Sequence, residues 1–146
     1  MIRISVDPAP IELGMEVAAL EERGAGAVAT FTGVVRGDDG VTELALEHYP
    51  GMTEGALAAL AETATERWNL LGVTIVHRVG PMAVGERIVF IGAAAHHRRE
   101  ALDACAYLID RLKTDAPFWK RERRGETAQW VEPRDADAVA AERWDD

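Results

Sequence analysis

Two lysines, Lys113 and Lys120, are the side chains of this chain best suited to chemistry. The sequence has sixteen basic residues, and all of them except these two are arginines. Arginine keeps its proton at any working pH, whereas a lysine in a dry or electropositive pocket can lose one and act as nucleophile, base or proton donor. The alternative is that both are solvated surface charges, which is how lysines usually occur.

A proline between the two lysines decides whether they meet. Pro117 disfavours helical geometry at the preceding residue, so we expect a helix over residues 98–114 that holds Lys113 in its last turn, where the helix dipole favours a cation. A turn at residues 115–117 would fold Lys120 back toward Lys113, whereas a continuous helix would leave them about 10 Å apart. Two neighbouring ammonium groups make each other easier to deprotonate.

A second candidate is the run of polar residues at positions 96–99, His-His-Arg-Arg. It lies between an apolar strand and a helix start, where free backbone N–H groups suit an anion such as phosphate. The alternative is that these are ordinary polar residues at the exit of a strand. Arg36, which ends a glycine-containing strand before a turn, is a weaker candidate, because an arginine in such a place is usually a surface residue.

Composition limits the classes of function. A chain of 146 residues and 15.9 kDa fits one domain, residues 1–146. The formal charge of −9 argues against nucleic acid and anionic membranes as partners. Residues 111–124 nevertheless hold six cations and two anions. An acidic body with one basic patch suits a small anionic ligand or an acidic partner segment.

Other sequence features limit the expected cellular location and the kinds of site. Neither a membrane span nor a signal peptide is recognisable, so we expect a cytoplasmic protein. The single cysteine, Cys105, excludes a disulfide framework, and its helical spacing predicts a buried apolar role. The four histidines lack the spacing of a metal site.

Alternating and helical patterns predict an α+β fold with mainly antiparallel strand pairs and three helices. Thr53 is expected to cap the second helix. The acidic tail at residues 132–146 is expected to be weakly ordered. The strand pairs predicted as hairpins are residues 27–35 with 41–49, residues 73–79 with 87–95, and residues 118–123 with 127–131.

The chain resembles the family of molybdopterin synthase catalytic (large) subunits, and the likeness runs nearly end to end. The residues that carry it are 29–36, 46–52, 66–68, 77–80, 97–98, 112–122 and 130–132. This resemblance implies an α/β hammerhead-type fold, a homodimer, and a small ubiquitin-like carrier subunit docked at each end to give a heterotetramer. It also implies that the carrier's Gly-Gly terminus, activated as a thiocarboxylate, donates sulfur to cyclic pyranopterin monophosphate and forms the dithiolene of molybdopterin, without metal or cofactor.

The resemblance also implies roles for individual residues. Lys113 and Lys120 match the essential lysines of the family, and we expect Lys113 to assist acyl and proton transfer while Lys120 orients the anion. The remaining positions that match are Arg36, His97 and Arg98 as contacts of the substrate phosphate, Arg121 and Glu122 as the end of the lysine motif, and Arg134 as an arginine that reaches across the dimer.

Two other functions stay open at this point. One is a noncatalytic scaffold that docks a ubiquitin-like protein, which would bind without turnover. The other is a phosphoester-processing enzyme that uses His97 and the arginines, which would act without a protein partner.

Overall fold

The computed structural model describes residues 1–131 and 135–145 of the chain. The strands are β1 (Ile2–Asp7), β2 (Ala27–Val34), β3 (Glu43–His48), β4 (Gly72–Arg78), β5 (Gly80–Ala83), β6 (Arg87–Ala95), β7 (Phe118–Arg124) and β8 (Thr127–Val131). The helices are α1 (Leu13–Glu21), α2 (Met52–Trp68), α3 (Arg98–Asp115) and α4 (Asp135–Glu142), with a 3₁₀ turn at Asp38–Gly40. None of the helices in this part of the chain has the length and apolar character needed to cross a membrane.

The first sheet has the strand order β1-β4-β6-β2, with β6 near its centre. Alternate residues of β6 point to opposite faces, and both faces are buried: Ile91 packs with residues of α2 and α3, whereas Phe90 packs with Leu20 of α1. Gly92 also faces α1, since a Cβ at this position would lie 2.3 Å from Leu20 Cδ1. The sheet is therefore sandwiched between helices, as a sheet of apolar strands requires.

The second sheet has the order β5-β3-β7-β8, and all its pairs are antiparallel. Its buried residues Leu44, Leu46 and Met82 form a small core with Val35, which follows β2, and with Ile88 of β6. In the pairing of β3 with β7, Leu46 lies opposite Lys120. Residues directly opposite one another share a face of the sheet, so this register places Lys120 on the same face as the small core.

The predicted hairpin of residues 27–35 and 41–49 is wrong. β2 pairs with β6, whereas β3 pairs with β5 and β7 in the other sheet. Two features separate the strands: the register of β2 shifts between Gly33 and Val34, and the 3₁₀ turn at Asp38–Gly40 occupies the connection. The alternation of apolar residues identified both strands but carries no information on which strand each one pairs with.

Most other elements agree with the sequence analysis. β4 pairs antiparallel with β6, and β7 with β8, as predicted, although β5 occupies part of the segment between β4 and β6. Apart from the parallel pair β1–β4, every strand pair of the described residues is antiparallel, which confirms the α+β class. The acidic tail contains the helix α4, which the sequence analysis does not predict.

Candidate active site

A cavity of about 380 Å³ lies where the two sheets meet the end of α3. We call it the lysine pocket because Lys113 and Lys120 both line it. The predicted site residues Arg36 and Glu122 also belong to its wall. The other lining residues are Phe31, Gly33, Val34, Val35, Val41, Leu44, Leu46, His77, Ile88, Val89, Leu112, Ala116, Phe118, Val131 and Asp137.

The break after α3 brings the two lysines together as predicted. α3 ends at Asp115, and Ala116 has extended geometry (φ −91°, ψ 129°), as a residue before proline prefers. β7 then starts at Phe118, so Lys120 and Phe118 lie on the same face of the strand. Both of them line the pocket.

Thr53 fixes the position of this break. Its hydroxyl donates a hydrogen bond to the carbonyl of Pro117 (2.9 Å) and accepts one from the backbone N–H of Tyr49 (2.9 Å). Its side chain is fully buried. The prediction that Thr53 caps α2 is wrong, because Gly51 is the N-cap residue and its N–H donates to Glu54. Thr53 instead ties the start of α2 to the segment between the two lysines.

His77 is a site residue that the chemical reasoning from sequence missed. It lies in β4, is only 4% exposed and lines the lysine pocket. Its ring stacks on Phe118 with centroids 3.9 Å apart, and Nδ1 lies 2.8 Å from the carbonyl oxygen of Arg78. A polar residue in a fully buried strand was the available signal.

The His77 imidazole is uncharged at neutral pH. Burial is the main cause that lowers its pKa to about 4, and the charges of Lys113, Lys120 and His48 act in the same direction. The hydrogen bond with the Arg78 carbonyl opposes them. The positive charge of the pocket therefore comes from the lysines and Arg36, without a contribution from His77.

The lining of the lysine pocket has three cations, Lys113, Lys120 and Arg36, and two acidic side chains, Glu122 and Asp137, so one positive charge is in excess. Arg36 is an exposed side chain whose Nε lies 3.5 Å from Asp38. Glu122 accepts a hydrogen bond from Arg124 at 3.4 Å, so its charge is partly balanced outside the pocket. Such a site suits an anion that reaches the lysines from solvent.

Other predicted residues lie away from this pocket. His97 and Arg98 are exposed at the start of α3. Lys113 follows Arg98 by fifteen residues, which corresponds to about 22 Å along a helix. Within one chain, His97 and Arg98 therefore do not join Arg36 around a ligand held by the lysines.

Arg121 and Arg134 complete the predicted set. Arg121 is directed to the other face of β7, where its guanidinium lies 5.5 Å from the centre of the Trp130 ring. Arg134 lies outside the described residues.

Across residues 1–131 and 135–145 no group of three or more His, Cys, Asp or Glu side chains is placed to hold a metal ion. Cys105 is buried, as predicted, and burial raises the pKa of its thiol to about 11.

A wider hollow of about 620 Å³ lies between α2, α3 and the end of the chain. Arg111, one of its two arginines, is paired with Asp115 (2.9 Å) and Asp145 (2.7 Å). Trp144 packs edge-on against Tyr107 and donates a hydrogen bond to Asp110. These contacts attach Trp144 and Asp145 to α3.

Comparison with known proteins identifies the family of this chain. The model of the family described as MoaE protein matches residues 6–115. The chain belongs to the MoaE family. A relative from Salmonella typhimurium, named molybdopterin synthase catalytic subunit, is 51% identical over 97% of both chains. This confirms the resemblance seen in the sequence.

Solved structures share the fold. That of molybdopterin cofactor biosynthesis protein E from Burkholderia multivorans superimposes with a TM-score of 0.85 and is 44% identical, covering 99% of this chain and 97% of that one. A complex of subunits 1 and 2 of molybdopterin-converting factor from Helicobacter pylori has a TM-score of 0.76 over 91% of both chains. Its identity of 19% makes this a likeness of fold alone.

The role of Thr53 predicts a difference between two substitutions. Thr53→Val removes the hydroxyl that Tyr49 and Pro117 share, so we expect a loss of about 1–3 kcal/mol in the free energy of unfolding and reduced turnover. Thr53→Ser keeps the hydroxyl and should cost about 1 kcal/mol or less. Denaturant unfolding measures both values. Equal unfolding midpoints for the two variants would show that the hydroxyl does not hold the break.

The buried neutral state of His77 predicts a pH dependence of stability. Its pKa is lower in the folded chain than the ordinary value of 6.5. The unfolded chain therefore binds a proton more readily, so the free energy of unfolding is unaffected by this group above about pH 6.5 and decreases as the pH falls toward 4. The pKa difference corresponds to about 3 kcal/mol. We expect His77→Gln to remove this part of the pH dependence of the unfolding free energy, whereas His96→Gln, at an exposed histidine, should keep it. An unchanged pH profile in His77→Gln would contradict the assignment.

Proposed function

We propose that the lysine pocket is the place where this chain transfers sulfur from the C-terminal thiocarboxylate of a small ubiquitin-like carrier subunit to cyclic pyranopterin monophosphate. Membership of the MoaE family makes the chain an enzyme of molybdenum cofactor biosynthesis. The observation that carries the proposed location is that the only two lysines of the sequence line one pocket. We also propose a cytoplasmic location, as the sequence analysis expects.

The charge of the pocket fits the end of such a carrier. A thiocarboxylate is an anion on a chain that ends in Gly-Gly, and two glycines without side chains pass through a narrow opening more easily than other residues. The lysines and Arg36 provide positive charge in a chain whose formal charge is −9. The Helicobacter pylori structure with the same fold is a complex of two subunits of molybdopterin-converting factor, which supports an arrangement with a protein partner.

The two lysines would divide the chemistry between them. We assign to Lys113 the contact with the carrier's terminal carbonyl and the assistance of acyl and proton transfer. Lys120, fixed opposite Leu46 by the strand register, would orient the anionic sulfur donor and stabilise the negative charge that develops. In each transfer the thiocarboxylate sulfur forms a carbon–sulfur bond on the pterin side chain while a carbon–oxygen bond of that carbon breaks and the departing oxygen takes up a proton. Water then cleaves the acyl–sulfur bond, so the sulfur stays on the pterin and the carrier leaves with an ordinary carboxylate. Two transfers complete the dithiolene.

The substrate phosphate requires a second copy of the chain. Arg36 lines the lysine pocket, but His97 and Arg98 of the same chain lie at the far end of α3. In the homodimer that the family resemblance implies, we propose that one copy provides the lysines and Arg36 while the other provides His97 and Arg98. Arg134, proposed to reach across the same dimer, would join them at the phosphate.

The role of Lys113 predicts a large loss of turnover on substitution. We expect Lys113→Ala to lower the rate of product formation by about 100-fold or more, the contribution typical of a general acid or base. Arg23→Ala, which removes a cation outside the pocket lining, should stay within about twofold. Product formation is measured with purified thiocarboxylated carrier and cyclic pyranopterin monophosphate. Near-full turnover in Lys113→Ala would remove the chemistry from this residue, and carrier binding without any turnover by the wild type would indicate a scaffold.

The shared phosphate site predicts rescue between two inactive variants. When Lys113→Ala is mixed with a His97→Ala/Arg98→Ala chain and the subunits exchange, half of the dimers contain one chain of each kind. One of the two pockets in these dimers then has all its residues, so we expect about a quarter of wild-type activity. No activity from mixed dimers whose formation is verified by mass would show that the residues do not act across the dimer.

A further inference from the structure

We propose that His77 is a positioning residue of the lysine pocket, whose Nε2 accepts a hydrogen bond from the ammonium group of Lys113 and holds that group toward the bound sulfur donor. The effect of this contact on catalysis rests on the proposed function. The contact between the two side chains is a physical property of the protein that is testable without any turnover.

The place of His77 in the fold points away from a purely structural role. Alternate residues of β4 share a face, and Val73 and Ile75 belong to the main hydrophobic core. His77 continues this row and is equally buried, although a buried polar ring costs free energy unless it is hydrogen-bonded. An apolar side chain would extend the core at this position, but the residue present lines the lysine pocket.

The hydrogen bond of Nδ1 determines what the other ring nitrogen can do. Nδ1 lies 2.8 Å from the carbonyl oxygen of Arg78. A carbonyl only accepts hydrogen bonds, so Nδ1 carries the proton of the neutral ring and Nε2 presents a lone pair. The partner of Nε2 must therefore be a donor. A lysine ammonium is a donor with three N–H groups and no acceptor, which makes it a complementary partner.

The ring is held in a fixed orientation. One face stacks on Phe118 at 3.9 Å, and Phe118 and Lys120 lie on the same side of β7. The Arg78 carbonyl that anchors Nδ1 is fixed in turn, because the Arg78 guanidinium is buried and donates two hydrogen bonds to the Pro8 carbonyl (3.0 and 3.2 Å). A ring held at its edge and its face is suited to orient a flexible neighbour.

The charged side chains around His77 favour the neutral ring, and Lys113 is the one that acts on it most strongly. Facing it are Lys113 from α3, Lys120 from β7 and His48 from β3, and each of these lowers the pKa of His77, with Lys113 having the largest effect of the three. Burial has a larger effect still. The ring therefore keeps the Nε2 lone pair at neutral pH, and Lys113 is the cation that interacts with it most strongly.

Three substitutions separate the contributions of the ring. His77→Asn keeps a donor near the position of Nδ1 and loses the acceptor at Nε2, whereas His77→Gln places an amide oxygen near Nε2. His77→Phe keeps the stacking on Phe118 and removes both nitrogens. We expect the rate constant kcat to fall about 10- to 100-fold in His77→Asn and His77→Phe. KM for the pterin should change less than about threefold, and His77→Gln should recover most of kcat.

A direct observation of the contact does not depend on activity. Because the chain has only two lysines, ¹⁵N-lysine labelling gives two ammonium signals, which Lys113→Arg assigns. The signals are recorded at a pH above the titration of His77. We expect the Lys113 signal of the wild type to show slowed proton exchange that is lost in His77→Asn and kept in His77→Gln, with the Lys120 signal unchanged.

The outcomes distinguish the two proposals. If the wild type forms no product with thiocarboxylated carrier and pterin, the proposed function is wrong, and the ammonium signals still decide whether His77 contacts Lys113. If the wild type is active but all three variants keep kcat within about twofold, or if the Lys113 signal is the same in wild type and His77→Asn, the inference is wrong. The comparison of His77→Asn with His77→Gln remains valid even if His77→Phe does not fold.

Discussion

Strand β6 is apolar on both faces, and the arrangement of the whole chain depends on burying it. Ile91 requires the cover of α2 and α3, and Phe90 requires that of α1. A strand in this position also needs hydrogen-bonded neighbours on both edges, which β2 and β4 provide. With both edges of β6 occupied, β3 pairs elsewhere, and it forms the second sheet with β5 and β7.

The lysine pocket is a consequence of having two sheets. Its wall includes Phe31 and Val89 from the first sheet, Leu46 and Phe118 from the second, and the end of α3. Pro117 ends the helix, but the pairing of β7 with β3 is what directs Lys120 back toward that end. The proximity of the lysines therefore combines a local effect of proline with a long-range constraint on strand pairing.

The sequence predicted the parts of the site that local rules control. The helix before Pro117, the strand after it and the meeting of the two lysines follow from proline geometry and alternation over a few residues. The partner of β2 was not predictable in this way, because alternation is the same whichever strand lies alongside. The separation of about 22 Å between Arg98 and Lys113 was implicit in the predicted helix. Only the geometry of the pocket showed that this distance separates the proposed phosphate contacts from the lysines within one chain.

His77 shows where sequence patterns and function diverge. A pattern of apolar residues in β4 treats a histidine after Ile75 as an interruption, and a neutral imidazole in a core position lowers stability as the pH falls. Departures from the rules of core composition are expected where a site needs a particular chemical group. Here the group is an uncharged acceptor near two ammonium groups, and a lysine or arginine in its place would add a fourth positive charge to a pocket that already contains Lys113, Lys120 and Arg36. The same burial that makes the histidine costly therefore keeps it in the one protonation state that can orient Lys113.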